Sequence, residues 1–316
     1  MAQQPWASAG QPSSPGPPMP SVAGVRHRFV DLPALRVHVA EAGLDRADRS
    51  RPPVVLLHGV PQHWWEWRGV IPELATSHHV ICPDLRGAGW TDAPPSGYRR
   101  PVLMSDVWDL LDALGQDRVH LVAHDWGALL AFELALARPD RVASLVSISV
   151  PHPWQRLTPR MLPLLLRAGY QLPMVTPWLG PRLLSRGEQR LPRRLLTATS
   201  TRPEIWTPEV VAAFVDVLRD PARARAVTAL YRHFIQPEAA RFLGGAHRDA
   251  RLEQPVRVLV GAQDPLVRPA DLDRQVSNAP RLRVVAVEGA SHWVVDERPD
   301  AVVAVVRETV AAAELR

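Results

Sequence analysis

The chain of 316 residues contains no lysine; all 37 of its cationic residues are arginine. They are spread along the sequence among 32 acidic residues and leave a net charge of +5. Arginine used throughout in place of lysine raises the isoelectric point, to about 10.4, without concentrating a field, so the basic balance does not point to nucleic acid as a partner. The densest cluster, Arg190-Leu191-Pro192-Arg193-Arg194, reads as a solvated helix face. Cysteine is nearly absent as well. A single Cys82 excludes an intramolecular disulfide and a thiolate metal cluster. Inside the apolar run Val80-Ile81-Cys82-Pro83 it reads as a buried, inert thiol, consistent with a reducing compartment, and the cytoplasm is the expected location. Uninterrupted apolar runs are also missing. The longest apolar stretch, Met161 to Leu179, is broken by Pro163, Pro173 and Pro177, so no bilayer span or stable membrane anchor is expected. Nor does a charged segment followed by an apolar block open the chain, so no secretory signal is expected.

What the chain does have is an alternating pattern. Residues 1–24, rich in Pro, Ser, Gly and Gln, bury too little apolar surface to offset their ordering entropy and read as a disordered tail. Short β-branched runs follow at Val25–Val30, Leu35–Glu41, Pro53–His58, His79–Pro83, Val119–His124 and Val142–Val150. Helical spacing appears over Pro101–Leu114, closed by Gly115, and over Ala128–Arg138, stopped by Pro139. Several of the strand candidates are almost wholly apolar, as strands buried on both faces require. Strand and helix in turn imply an α/β fold with a mostly parallel sheet flanked by helices. From Pro151 to Arg251 the pattern becomes helical and proline-punctuated, with Pro208–Leu218 and Ala222–Ile235 the clearest helices. Strands resume at Val256–Val260 and Val284–Val287, before a last helix from Pro299 to Ala313. The expected organisation is therefore a core of residues 25–150 and 252–316, with a helical cap, 151–251, inserted over the sheet edge where such folds place ligands.

The strand His120-Leu121-Val122-Ala123-His124 runs into Asp125-Trp126-Gly127-Ala128 and then an apolar helix. This has the form of a nucleophile elbow, where small residues let helix and strand backbones pass closely. Asp125 stands at the apex, where a serine hydrolase carries Ser, so an ordinary esterase is disfavoured. A carboxylate needs no deprotonation at neutral pH and attacks carbon by displacement, leaving an alkyl ester. Taken alone, Asp125 could as well be a helix cap. Its partners argue otherwise. Releasing such an ester calls for a histidine base oriented by a carboxylate, in the chain order nucleophile, acid, base. Asp264 follows the strand Val256–Val260, and His292 follows Val284–Val287. Asp264 before Pro265 could simply open a turn, but three loops of one sheet offer the required residue types in the required order. The turn Leu57-His58-Gly59-Val60-Pro61 makes the Val60 and Trp126 backbone N–H groups candidates for an oxyanion hole. His120 and His124, beside the elbow, read as structural.

These stretches carry a resemblance. His58-Gly59-Val60-Pro61 with Trp64-Trp65-Glu66-Trp67-Arg68, Pro83-Asp84-Leu85-Arg86-Gly87-Ala88-Gly89-Trp90, His124-Asp125-Trp126-Gly127 and His292-Trp293 resemble the epoxide hydrolases. These form an aspartate-nucleophile branch of the α/β-hydrolase superfamily, shared with the haloalkane dehalogenases. The resemblance covers the chain from Val25 onward and implies an eight-stranded, mostly parallel sheet with an inserted helical cap. It also implies two cap tyrosines that hydrogen-bond the ring oxygen. Of three tyrosines, Tyr170 and Tyr231 fall in matching cap contexts, whereas Tyr98 reads as structural. A phenol, with a pKa near 10, stays a donor at neutral pH. Trp126, Trp154 and Trp293 are candidates for the substrate pocket. No cofactor or metal is implied. The implied partners are a small, lipophilic epoxide and water, with a homodimer left open. Two rivals remain: a dehalogenase, whose relatives often carry a polar side chain where Val60 stands, and a hydrolase-fold protein that only binds a ligand or partner.

Overall fold

The computed structural model describes residues 17–45, 48, 51–155, 158, 169 and 171–315. Eight strands form one sheet: β1 (Arg26–Asp31), β2 (Arg36–Ala42), β3 (Val54–Leu57), β4 (Val80–Pro83), β5 (Val119–His124), β6 (Val142–Ile148), β7 (Val256–Gly261) and β8 (Leu282–Val287). Their spatial order is β1-β2-β4-β3-β5-β6-β7-β8. The β1–β2 and β2–β4 pairs are antiparallel and all the others parallel. The expected eight-stranded, mostly parallel α/β architecture is what the chain adopts.

Both faces of the central strands are covered. In β3, Val55 and Leu57 face one hydrophobic core while Val54 and Leu56 face the other. In β5 the same alternation sends Leu121 and Ala123 to the first core and Val122 to the second. The first core is closed by α1 (Arg100–Ala113) and α2 (Trp126–Ala137), the second largely by the C-terminal helix Pro299–Glu314. With every β5 residue buried, alternation cannot appear as a polar stripe, which is why this strand reads as a continuous apolar run. Cys82 is buried in β4, and burial pushes its thiol pKa well up.

The sheet's order carries a functional consequence. From β3 the chain passes to β4 on one side, then returns to β5 on the other side of β3. The loops after β3 and β5 therefore diverge and leave a crevice beyond the carboxyl ends of these strands, the usual ligand position in such folds.

Between β6 and β7 the described residues form helices at Gln171–Met174, Leu179–Ser185, Arg190–Thr197, Pro208–Val215, Pro221–Leu230 and Gln236–Leu243. Two starts are locally encoded. Thr207 caps Val210 N–H, Asp220 caps Ala222 N–H at 2.8 Å, and a proline stands at the start of each of these helices. The expected helix Ala222–Ile235 departs from regularity at its end, where Tyr231–Ile235 form a π turn and Gln236 N–H reaches back to the Tyr231 carbonyl. Pro237 has no N–H to donate to the fourth carbonyl before it, so the chain takes the wider turn. The helical segment touches the loops after β3, β4 and β8: His63 Nε2 donates to Ala213 O at 3.0 Å, Arg223 donates to Thr91 O at 2.6 Å, and Trp293 Nε1 donates to Thr199 Oγ1 at 3.2 Å. No helix among the described residues is long and apolar enough to cross a membrane.

Candidate active site

Asp125 sits between β5 and α2 with φ 51° and ψ −130°. Left-handed backbone is costly for a residue with a Cβ and persists only where its surroundings enforce it. Two glycines allow it here. A Cβ on Gly127 would lie 2.5 Å from His58 O, and one on Gly59 would lie 2.8 Å from the Asp125 Cβ. The β3 loop can thus lie directly against the elbow, and the Val60 N–H donates to Asp125 Oδ2 at 3.0 Å. His58 braces that loop. Its Nε2 accepts from Leu85 N–H at 2.9 Å, which leaves the proton on Nδ1 for the Gly59 carbonyl, also at 2.9 Å.

On the other side of Asp125, the ring of His292 brings Nε2 to 3.9 Å from Oδ1, an ion-pair distance rather than a hydrogen bond. Its Nδ1 donates to Asp264 Oδ2 at 3.0 Å. Asp264 is itself fixed, because Oδ1 accepts the N–H groups of Leu266 at 2.7 Å and Val267 at 3.1 Å. Asp125, His292 and Asp264, from three separate loops, therefore meet in one place. Burial opposes charge on Asp125, but His292, His124 and the Val60 N–H outweigh it and hold the carboxyl below the usual carboxylate range. Burial alone would lower the His292 pKa; Asp264 and Asp125 reverse this and push it up to about 10. The resting pair is thus carboxylate and imidazolium.

A cavity of about 460 Å3 opens over Asp125 and His292. Tyr231 lines it, as do Leu191, Leu195, Leu266 and Trp293, so the wall is largely apolar. Tyr231 is nearly wholly buried and begins the π turn, a local rewinding that frequently accompanies functional positions. Tyr170, the other candidate phenol, lies outside the described residues. Tyr98 lies away from this cavity and donates to Pro94 O at 2.7 Å; burial pushes its pKa up to about 12.

The three tryptophans divide. Trp293 lines the cavity. Trp126 turns its indole into a separate, water-sized cavity of about 20 Å3 beside His58 and Val217, and its Nε1 has no partner among the described residues. Trp154 is a correction to the sequence expectation. Its Nε1 donates to Ala250 O at 2.9 Å and its ring meets Phe132 edge-on, so it belongs to the packing between the helical segment and α2, outside the cavity that holds Asp125.

Glu66, Ser149 and Glu297, which sequence reasoning passed over, support the site together with His124. Glu66 is fully buried; its Oε2 accepts from Gly59 N–H at 3.1 Å and lies 3.5 Å from His124 Nδ1. Burial raises the Glu66 pKa, with His124 offsetting part of the rise. His124 Nε2 in turn donates to the His292 carbonyl at 3.0 Å, which also accepts from Ser149 Oγ at 2.7 Å. Glu297 ties down the same loop by accepting from Ser291 N–H at 2.5 Å and Ser291 Oγ at 3.0 Å. The available signal for Glu66 was a lone acid among three tryptophans, Trp64, Trp65 and Trp67, where an unpaired charge would be expensive.

The chain is similar to known proteins over most of its length. Residues 52–299 match the model of a family described as alpha/beta hydrolase fold. A soluble epoxide hydrolase of Corynebacterium sp. is 30% identical over 88% of this chain and 95% of its own length. Epoxide hydrolase A of Mycobacterium tuberculosis is 30% identical over 92% of this chain and 98% of its own. Among solved structures, the ligand-free epoxide hydrolase CorEH superposes with a TM-score of 0.75 at 27% identity, covering 92% of this chain and all of that one.

Proposed function

Because this chain belongs to the α/β-hydrolase fold family and to its epoxide hydrolase group, we propose that it hydrolyses a lipophilic epoxide to a vicinal diol through an ester on Asp125. The observation that carries the reading is Asp125 itself: a strained, ionised carboxylate with Oδ2 on the Val60 N–H, Oδ1 facing His292, and an apolar cavity above it.

In the first step Asp125 attacks a ring carbon and the ring C–O bond breaks. The departing oxygen is a poor leaving group unless it is protonated, and Tyr231, with Tyr170 as its partner from the resemblance, supplies that proton. The helical segment acts as the cap that brings Tyr231 to the carboxylate. Loss of the Asp125 charge in the ester lowers the pKa of His292, whose proton leaves and restores the phenol; the neutral imidazole, oriented by Asp264, then takes a proton from water, whose oxygen attacks the Asp125 carbonyl carbon. The developing oxyanion is the atom that the Val60 N–H already contacts, so this donor need not reorganise, and the Trp126 N–H is the second donor of the scheme. Collapse expels the diol oxygen, which takes the proton from His292. The second water proton leaves Asp125 as it re-ionises and returns His292 to the imidazolium. One water is consumed, and no cofactor enters the balance.

The test is an aryl epoxide and a bromoalkane offered separately to the wild type and to Asp125→Asn, with diol and bromide followed in parallel. Diol from the wild type alone is the expected outcome, with at least about a thousandfold loss in Asp125→Asn and in His292→Gln. Unchanged turnover in either variant overturns the scheme, and bromide without diol transfers the assignment to dehalogenation.

A further inference from the structure

Four consecutive residues of the helical segment, Thr199–Arg202, are each bonded to the stretch that carries His292. Thr199 Oγ1 accepts the Trp293 indole N–H at 3.2 Å, and Thr201 Oγ1 donates to Gly289 O at 3.2 Å. The remaining bonds go to Glu297, at the end of the short helix Val294–Glu297 that follows the base. Ser200 Oγ donates to its Oε1 at 2.5 Å, the Thr201 N–H to the same oxygen at 2.8 Å, and Arg202 to its carbonyl at 3.0 Å. Thr199 and Trp293 both line the cavity over Asp125, so this join reaches the cavity wall.

The two side-chain oxygens of the fully buried Glu297 serve different parts of the molecule. Oε2 takes the N–H of Ser291, the residue before the base, at 2.5 Å. Oε1 takes Ser200 and Thr201 of the helical segment, and Ser291 Oγ at 3.0 Å. Backbone N–H groups can only donate, so an acceptor is required on both sides at once. A carboxylate provides this; an amide accepts on one side and sets its own NH2 against an N–H on the other. The chemistry of the residue is therefore what holds the base loop and the helical segment together. Elsewhere the helical segment is held independently, by His63 on Ala213 O and Arg223 on Thr91 O. Arg223 belongs to the helix Pro221–Leu230 that leads directly into Tyr231. Release at Glu297 thus frees the side that carries the base and leaves the side that carries the phenol.

We propose that Glu297 is a positioning residue for the second half of the reaction: it ties the base loop to the helical segment, so that His292 meets the ester in register only while Thr199–Arg202 are seated. The inference rests on the epoxide reading and adds to it a coupling between cap and base. Glu297 touches no reacting group and acts through Ser291 on one side and Ser200 and Thr201 on the other.

The experiment follows single turnovers of styrene oxide by rapid quenching and intact-protein mass, which separates ester formation on Asp125 from ester hydrolysis. Glu297→Gln is expected to slow ester hydrolysis by about tenfold or more and to leave ester formation within about threefold. Ser200 does not line the cavity, and Ser200→Ala removes only the helical segment's hydroxyl from Glu297. It should slow ester hydrolysis about threefold and have no further effect once Glu297 is Gln, because the path it acts through is already broken. Ser200→Ala decides the matter alone if Glu297→Gln does not fold. Ester hydrolysis at the wild-type rate in Ser200→Ala, equal losses in both steps, or additive losses in the double variant overturn the inference and leave epoxide hydrolysis standing. No ester on Asp125 and no diol from the wild type overturn both.

Discussion

His292 is held between two carboxylates, Asp264 at 3.0 Å and Asp125 at 3.9 Å, and only Asp264 keeps its charge once an ester has formed. In the proposed scheme, neutralising Asp125 lowers the pKa of His292 from about 10, and the imidazole becomes a base at the moment one is needed. The sign of the pH dependence follows. A base must be unprotonated, so ester hydrolysis slows as pH drops through the pKa of His292 in the ester. Attack by Asp125 continues, because its own pKa lies below the usual range. Lowering pH from about 8 to about 5 should therefore reduce kcat more than kcat/KM and make the ester accumulate on Asp125. Rapid quenching followed by intact-protein mass measurement reads this directly; parallel losses without adduct would refute it. Glu66 belongs to the same circuit as a positioning residue, since it touches Gly59 N–H and His124 rather than substrate. Glu66→Gln removes the charge facing His124, loosening both the oxyanion loop and the hold on the His292 carbonyl. Its expected signature is a ten- to a hundredfold loss, at about that level, in ester hydrolysis, with a much smaller effect on ester formation, measured in single turnovers. Equal losses in both steps would mean a merely structural role.

At the scale of elements, the elbow works because α2 and the β3 loop approach without side chains between them. Gly127→Ala would put a Cβ 2.5 Å from His58 O and 2.8 Å from Leu57 O, backbone atoms that cannot rotate away. It should cost about 3 kcal/mol or more, seen in denaturant unfolding, and lower activity at temperatures where the protein is still folded. A variant as stable as wild type would show the approach to be less tight than it is here. The regular elements were legible because they are locally encoded. Strands β3 to β7 lie within a residue or two of their apolar runs, since burial on both faces requires those runs, and α1 ends where Gly115 predicts. The π turn at Tyr231 was not legible. Its cause, Pro237, lies beyond the turn, and helical periodicity over Ala222–Ile235 looks the same for either winding.

For the whole molecule, the order of Asp125, Asp264 and His292 along the sequence was enough to predict their meeting, because each follows a strand of one sheet and strand ends converge by construction. Residues whose roles depend on how the helical segment seats could not be read that way. Trp154 looked like a pocket residue but turns to Ala250, while Arg194, exposed as its cluster suggested, also borders the cavity. Neither orientation has a local signature. The loop of His292 makes the dependence on full assembly concrete. Its carbonyl is gripped from the ends of β5 and β6 by His124 and Ser149, and Glu297 beside it reaches across to Ser200 and Thr201 of the helical segment. During synthesis the elbow emerges more than 160 residues before that loop. The residue proposed as nucleophile is thus made early and the residue proposed to release it last. On the proposed scheme, therefore, release of the ester waits for the last strand of the sheet, because the loop that follows it carries His292 to Asp264.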